Sequence, residues 1–304
     1  MEGEFSKTML DLIGNTPLVE IKKLNPNPKV KILAKLEGYN PTGSLKDRIV
    51  KFMVEKAEEK GTLTKEKTII EASSGNTGIS LAMIGAIKGY KVKIFMLETK
   101  SRERRVLMKL WGAEVVLTSG DNPHSHIEAC EELYSREKEK YYYLNQNGDE
   151  NNSLAHYLTT GQEILDQTKG KADVFVAGLG TAGTLMGVSR KLKEHNDRIK
   201  VISVEPVTGM SRIEGLLHMD GSYIPPIYCS ALIDEMVRVS DEDAFRATRL
   251  LTLEEGIFAG ISSGACLHAA WQVAQKMTKG IIVVLFADRG ERYLSSPLYA
   301  DFTQ

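Results

Sequence analysis

Apolar positions along the chain change period repeatedly, from short β-branched runs to longer amphipathic stretches. VKILAKLE (30–37), TIIEA (68–72), KVKIFM (91–96) and EVVLT (114–118) predict strands, and the stretches near 44–60, 76–88 and 101–112 between them predict helices. The alternation resumes with DVFVAG (173–178), KVISVE (200–205) and GIIVVLFAD (280–288), interleaved with helices near 183–194, 241–255 and 263–277. Strand and helix in regular succession imply an α/β architecture. KYYYLNQNGDENNS (140–153) turns polar after its tyrosines and marks a crossing between domains.

Composition narrows the class. A chain of 304 residues carries a prior of about two domains, and 42% hydrophobic against 26% charged residues excludes disorder, collagen and coiled coil. With 39 basic and 40 acidic residues, no overall field favours nucleic acid or an anionic membrane. MEGEFSKTML lacks the basic and apolar regions of a signal peptide, and no apolar run reaches the ~20 residues that cross a bilayer, so a cytoplasmic protein is expected. Cys130, Cys229 and Cys266 lack CxxC spacing and fit a reducing compartment; the last two lie near motif segments and are secondary candidates. The histidines show no metal-ligand spacing beyond His124-x-His126, which reads as a surface pair, and no metal is expected. SRERR (101–105) reads as a solvated, salt-bridged helix start.

Four segments carry chemistry. In NPTGSLKDR (40–48), Ser44 and Asp47 have capping-box spacing, which places Lys46 in a first helical turn, where the macrodipole disfavours an ammonium. An imine-forming lysine needs that neutral amine. In EASSGNTGIS (71–80), Ser73, Ser74, Gly75, Asn76 and Thr77 offer backbone N–H groups and short hydroxyls at a helix start, a cradle for a carboxylate or phosphate. AGLGTAGTLMG (177–187) offers a second cradle at Gly180, Thr181, Ala182, Gly183 and Thr184. Gly178, Gly180 and Gly183 also fit G-x-G-x-x-G with Glu205 about 20 residues on, so a dinucleotide reading stays open. In EEGIFAGISSGAC (254–266), Ser262 or Ser263 offers a neutral partner to a ring nitrogen.

Two anion cradles on separate α/β halves and a lysine at a third helix start describe a ligand with a phosphate, a carboxylate and an aldehyde-derived imine. Pyridoxal 5'-phosphate carrying an amino acid is such a ligand. An NAD-dependent oxidoreductase and a scaffold with vestigial sites are the alternatives from other classes.

At these residues the sequence resembles the cysteine synthase (O-acetylserine sulfhydrylase) and cystathionine β-synthase family. IGNTPLV (13–19), NPTGSLKDR, SGNTG, TTGQEIL (159–165), GTAGT, GISSGA and GERYLS (290–295) follow in family order over nearly the whole chain, and IYCSALIDE with ADRGERYLSS looks most like the B-type cysteine synthase. The resemblance implies two three-layer α/β domains of fold type II, tryptophan synthase β-like. A large domain would comprise 1–39 and 146–304, and a small mobile one 40–145. It implies Lys46 as the Schiff-base and catalytic lysine, Asn76 on the cofactor's ring hydroxyl, residues 180–184 on its phosphate and Ser262 on its ring nitrogen. Ser73, Ser74, Gly75, Asn76, Thr77 and Gln146 would hold the substrate carboxylate. A homodimer is implied, and since the residues start and stop with the core, neither a haem-binding extension nor a regulatory domain is expected.

The implied reaction is β-replacement on an O-acetylserine-like, cysteine or serine substrate with sulfide or a thiol. A cysteine-consuming variant would release hydrogen sulfide while making lanthionine or cystathionine, or by lyase action. Two departures leave the leaving group and nucleophile open: the family's Asn-Pro-rich stretch is replaced by Gln146-Asn147-Gly148-Asp149-Glu150, and GLLHMDGSYIPP (215–226) lacks an arginine, though Arg212 is near. Asp149 and Glu150 would either face water or pair with the ammonium of an amino-acid thiol.

Overall fold

In the computed structural model, which describes residues 6–73, 75–122, 124–219 and 223–302, the chain forms two separate sheets. Its first half runs β1 (Leu18–Ile21), β2 (Val30–Leu36), α1 (Lys46–Glu59), β3 (Thr68–Ala72), α2 (Asn76–Lys88), β4 (Val92–Leu97), α3 (Arg102–Leu110), β5 (Glu114–Thr118), α4 (Ser125–Arg136) and β6 (Tyr141–Tyr143). The second half runs α5 (Asn151–Leu158), α6 (Thr160–Thr168), β7 (Val174–Gly178), α7 (Gly183–His195), β8 (Lys200–Pro206), β9 (Glu235–Val239), α8 (Asp241–Glu255), α9 (Ile261–Lys276) and β10 (Gly280–Phe286).

The larger sheet has the order β1-β2-β10-β7-β8-β9, parallel except for β1. The smaller has the order β5-β4-β3-β6 and is all parallel. Successive strand residues point to opposite faces, so a strand covered on both sides must be apolar at every position. β10 shows this: Ile282, Val284 and Phe286 enter one core with Ala265, Ala269 and Val273 of α9, while Val283 and Leu285 enter another with Leu185, Val188 and Leu192 of α7. In the smaller sheet Ile69 and Ile94 meet Ile49, Val50 and Ile79 of α1 and α2, and Ile70 and Phe95 meet Cys130 of α4.

The strong runs form the expected strands and helices within a residue or two. The elements not expected are β1, β6, β9, α5 and α6. β1 and β9 are edge strands with exposed positions, and α5 (NNSLAHYL) is polar on much of its surface, so neither carries a strong period. Among the described residues no helix is long and apolar enough to cross a membrane. In parallel α/β sheets ligands bind beyond the carboxyl ends of the strands. Here the segments after β3, β7 and β10 bring Asn76, residues 180–184, and Ala287 and Asp288 to one cleft.

Candidate active site

Lys46 opens α1 as expected, but not through a capping box. The cap position is Leu45, without a side-chain cap bond. Asp47 instead accepts from Thr42 N at 2.7 Å, Thr42 Oγ1 at 2.5 Å and Ser80 Oγ at 2.5 Å, turning its carboxylate into the protein. The start of α1 is tied to the end of β10: Leu45 N donates to Ala287 O at 2.9 Å and Ser44 forms a bridge with Asp288. Lys46 therefore faces a cavity also lined by Asn76, Gly180, Thr181, Ala182, Gly183, Thr184, Glu214 and Ser262. Burial pushes its amine down to about 8, against the opposing pull of the Glu71 carboxylate. Burial, more than the dipole at this helix start, thus favours the neutral form. Glu71, fully buried on β3, is pushed up to about 8 by the same desolvation.

The glycine-rich loop after β7 is held from behind by α5. Ala182, at φ +68°, takes the left-handed conformation just before α7. α5 approaches α7 so closely that a Cβ on Gly183 would lie 1.9 Å from Asn152 Oδ1, and one on Gly187 2.1 Å from Ser153 O. That approach brings Asn152 and His156, four residues apart on one face of α5, onto the loop. Asn152 Nδ2 donates to Thr181 Oγ1 at 2.9 Å, and His156 Nε2 lies 3.2 Å from Thr184 Oγ1. His156 Nδ1 meets Thr160 Oγ1 at 2.9 Å, and burial drops the ring to about 3, so it stays neutral. Neither Asn152 nor His156 stands out in sequence; their i, i+4 spacing facing Gly183 and Gly187 is the only signal.

The loop after β3 is held from across the cleft. Ser73 Oγ accepts from Gly75 N at 3.2 Å and Gly78 N at 3.0 Å. Thr77 Oγ1 donates to Gln146 Oε1 at 2.6 Å, which joins residues 69 apart in sequence. Ser74 lies outside the described residues. Asn76 Nδ2 donates to Asp288 Oδ2 at 2.7 Å and its Oδ1 accepts from Arg292 Nη1 at 2.7 Å, which fixes the direction of the amide. Asp288 and Arg292, both buried, were not singled out in the sequence although GERYLS contains one of them. Ser262 lines the cavity from α9, one turn before Cys266, whose thiol burial pushes up to about 12. Ser263 is buried at 0% and does not line the cavity, which leaves Ser262 as the hydroxyl on that wall.

Further expectations change: His126 is buried at 7% rather than part of a surface pair. Arg104 is not a solvated residue of a charged helix start but is buried, ion-paired to Glu214 and packed 5.0 Å from the Tyr293 ring. Asp149 precedes the cap residue of α5 and accepts from Asn151 N at 2.9 Å and Asn151 Nδ2 at 2.8 Å; neither it nor exposed Glu150 lines the cavity. Glu205, the acidic residue of the dinucleotide reading, is buried in β8, accepts from Met219 N at 3.1 Å and also does not line the cavity.

The model of the family described as "Pyridoxal-phosphate dependent enzyme" matches residues 9–288. The cysteine synthase of Aquifex aeolicus is 43% identical over 303 residues, covering 97% of this chain and 93% of that protein. Cysteine synthase B of Salmonella typhimurium is 40% identical over 296 residues, with 97% and 96% covered. Among solved structures, a hydrogen sulfide-producing enzyme from Fusobacterium nucleatum superposes with a TM-score of 0.91 at 44% identity, covering 95% of this chain and 100% of that one.

Proposed function

This chain belongs to the pyridoxal-phosphate-dependent enzyme family and is an enzyme of the cysteine synthase type, and from that premise we propose how its residues carry out β-replacement. Pyridoxal phosphate is its cofactor, which supports a phosphate cradle after β7 over the dinucleotide reading. The side chains fit that group. Lys46 makes no ion pair among the described residues, and Gly180 leaves open a loop where a Cβ would lie 2.7 Å from Gly215 O. In our reading Lys46 holds the cofactor's aldehyde carbon, Asn76 its ring hydroxyl and Ser262 its ring nitrogen. Residues 180–184 hold its phosphate, with Thr181 and Thr184 as hydroxyl donors braced by Asn152 and His156.

When bound, the cofactor supplies an aldehyde for an amino group and a ring that draws electrons from Cα. The neighbouring residues then have separable tasks. Ser73, Ser74, Gly75, Asn76, Thr77 and Gln146 bind the substrate carboxylate, Thr77 and Gln146 being pre-oriented by their mutual hydrogen bond. Lys46, its amine brought close to neutrality by burial, takes the Cα proton and holds it at Nζ. Ser262, uncharged, leaves the ring nitrogen without a carboxylate to keep it protonated, which favours loss of the β-substituent over transamination.

We assign residues 40–145 to a small domain that closes on the remainder, a division supported by the packing of α1 against the smaller sheet. A homodimer and a cytoplasmic setting belong to the same proposal, the latter supported by three free thiols. Release of hydrogen sulfide from cysteine is a second activity favoured by the 44% identity to the Fusobacterium enzyme. The convergence of Lys46, both loops and Ser262 on one cavity carries the proposal. Its test is cysteine formation from O-acetyl-L-serine and sulfide by the purified holoenzyme. Failure of every β-substituted alanine in a donor panel would overturn it.

A further inference from the structure

Three segments that build the cavity meet at Asp288. Its backbone forms a bridge with Ser44, two residues before Lys46, and its carbonyl accepts from Gly260 N at 3.1 Å, two residues before Ser262. Its carboxylate is 2% exposed, and Oδ2 accepts from Asn76 Nδ2 and from Tyr293 OH, each at 2.7 Å. Oδ1 packs against Gly260 so closely that a Cβ there has no room, which holds the carboxylate in one orientation. On the far side of Asn76, Arg292 Nη1 donates to Asn76 Oδ1 at 2.7 Å, and Arg292 is itself anchored by donating through Nη2 to Thr42 O.

These partners leave Asn76 one way to act on a ligand. A guanidinium only donates and a carboxylate accepts, so the amide oxygen must face Arg292 and the nitrogen Asp288. Asp288 lines the cavity and Arg292 does not, so the nitrogen side of the amide is the one turned to the cavity. Of the two N–H groups there, Asp288 takes one, and the other remains to donate. A donor beside the cofactor's ring oxygen stabilises the ionised oxygen over the hydroxyl, because it binds the charged form.

We propose that Asp288 is a positioning residue that makes Asn76 a hydrogen-bond donor to the ring oxygen and so keeps that oxygen ionised, with the proton on the nitrogen of Lys46 instead. No proton enters or leaves, since the two atoms exchange one between them. With the nitrogen protonated, the carbon bound to it is more open to attack by the amino group of a substrate. The inference rests on the placing of Asn76 at the ring oxygen in the reading above.

The test reads the absorption of the purified holoenzyme, because the cofactor absorbs in the visible with its ring oxygen ionised and in the near ultraviolet with that oxygen protonated. The ratio of near-ultraviolet to visible absorbance should rise about fivefold in Asp288→Ala, the change in an equilibrium that one ordinary hydrogen bond makes. Asp288→Asn keeps an oxygen that can accept from Asn76 and should keep the wild-type ratio. Tyr293→Phe removes the other donor to Asp288 but not the acceptor, and should also keep it. Far-ultraviolet circular dichroism checks folding, and Asp288→Leu, close to the carboxylate in shape, replaces the alanine variant if that one does not fold. Asn76→Ala is the reference for a lost donor. A ratio raised in Asn76→Ala but unchanged without the Asp288 carboxylate overturns the positioning role, as do equal rises in Asp288→Ala and Asp288→Asn. An unchanged ratio in Asn76→Ala overturns the placing of Asn76 at the ring oxygen, and the inference with it.

Discussion

The two loops proposed to bind anions sit at equivalent places, each between a parallel strand and the helix after it, yet they are supported in opposite ways. The loop at 180–184 is backed by one neighbouring helix, whose Asn152 and His156 hold the hydroxyls of Thr181 and Thr184. The loop at 73–77 borrows its support from Asp288, Arg292, Gln146 and Arg104, which come from other parts of the chain. A helix packed backbone to backbone cannot yield without loss of core contacts, whereas long side chains reaching over a cleft can re-form their bonds. The first arrangement suits a group that stays, the second one that arrives and leaves.

The largest expected effect removes the group both loops serve. Lys46→Ala should lower turnover by more than about a thousandfold, since proton transfer at Cα and exchange at the aldehyde both need the amine. Far-ultraviolet circular dichroism should stay native and pyridoxal phosphate should still be retained through the loop at 180–184. Wild-type-like turnover would remove Lys46 from the chemistry.

The next prediction concerns the anchor of α1. Arg48 donates to Glu37 at 2.6 Å and to Glu163 at 2.6 Å, and Lys35 donates to Glu163 at 2.7 Å, all largely out of water. Burial would raise the Glu163 carboxyl, but these donors outweigh it and hold it down to about 2. A folded-state pKa below the unfolded one gives stability that is present above about pH 4.5 and lost as pH falls towards 2. The contribution is about 3 kcal/mol at roughly 1.4 kcal/mol per unit. Chemical denaturation from pH 6 to pH 3 should show about two-thirds of this loss in the wild type and a smaller slope in Glu163→Gln. Equal slopes would deny the network its role.

Smaller effects separate the two loops. Thr184→Ala should weaken pyridoxal phosphate retention by about 1.5–3 kcal/mol, a hydrogen bond to a charged group, while leaving the substrate KM nearly unchanged at saturating cofactor. Gln146→Ala should do the reverse, raising the donor KM by about tenfold through the loss of about 1.4 kcal/mol. Equilibrium dialysis and steady-state kinetics distinguish them, and a mutation that moved both quantities alike would erase the contrast. Ser262→Asp should change product identity more than rate, adding transamination products detectable by mass spectrometry. An unchanged product ratio would disprove its ring-nitrogen role.

How much of this was legible depended on the distance over which each signal acts. Lys46, the residues of both loops and Ser262 stand in short segments whose own order carries their chemistry, and they line or adjoin one cavity. Arg104 was misread because a charged run on a helix looks solvated unless the partner is known, and its partner Glu214 lies 110 residues away. Asp149, read from its place beside Gln146 as either facing water or pairing with an incoming ammonium, instead turns its carboxylate to the start of α5 two residues on. The Ser44/Asp47 spacing fitted a local cap, yet Thr42 and Ser80 took Asp47 for a tertiary bond instead.

The sequence alone determined the α/β alternation and the cofactor class, because each is written in a local period or a contiguous motif. Only the tertiary structure decided which polar groups face the cleft and which serve the frame. Asp47, Asp149, Glu205 and Glu214 are alike as isolated carboxylates, and burial with a partner distinguishes them. One is drawn into a buried hydrogen-bond set, one holds the first residue of a helix, one lies inside a sheet and one pairs with a buried arginine. Burying a charge is costly unless a partner compensates, and such partners come from chain segments that only folding brings together.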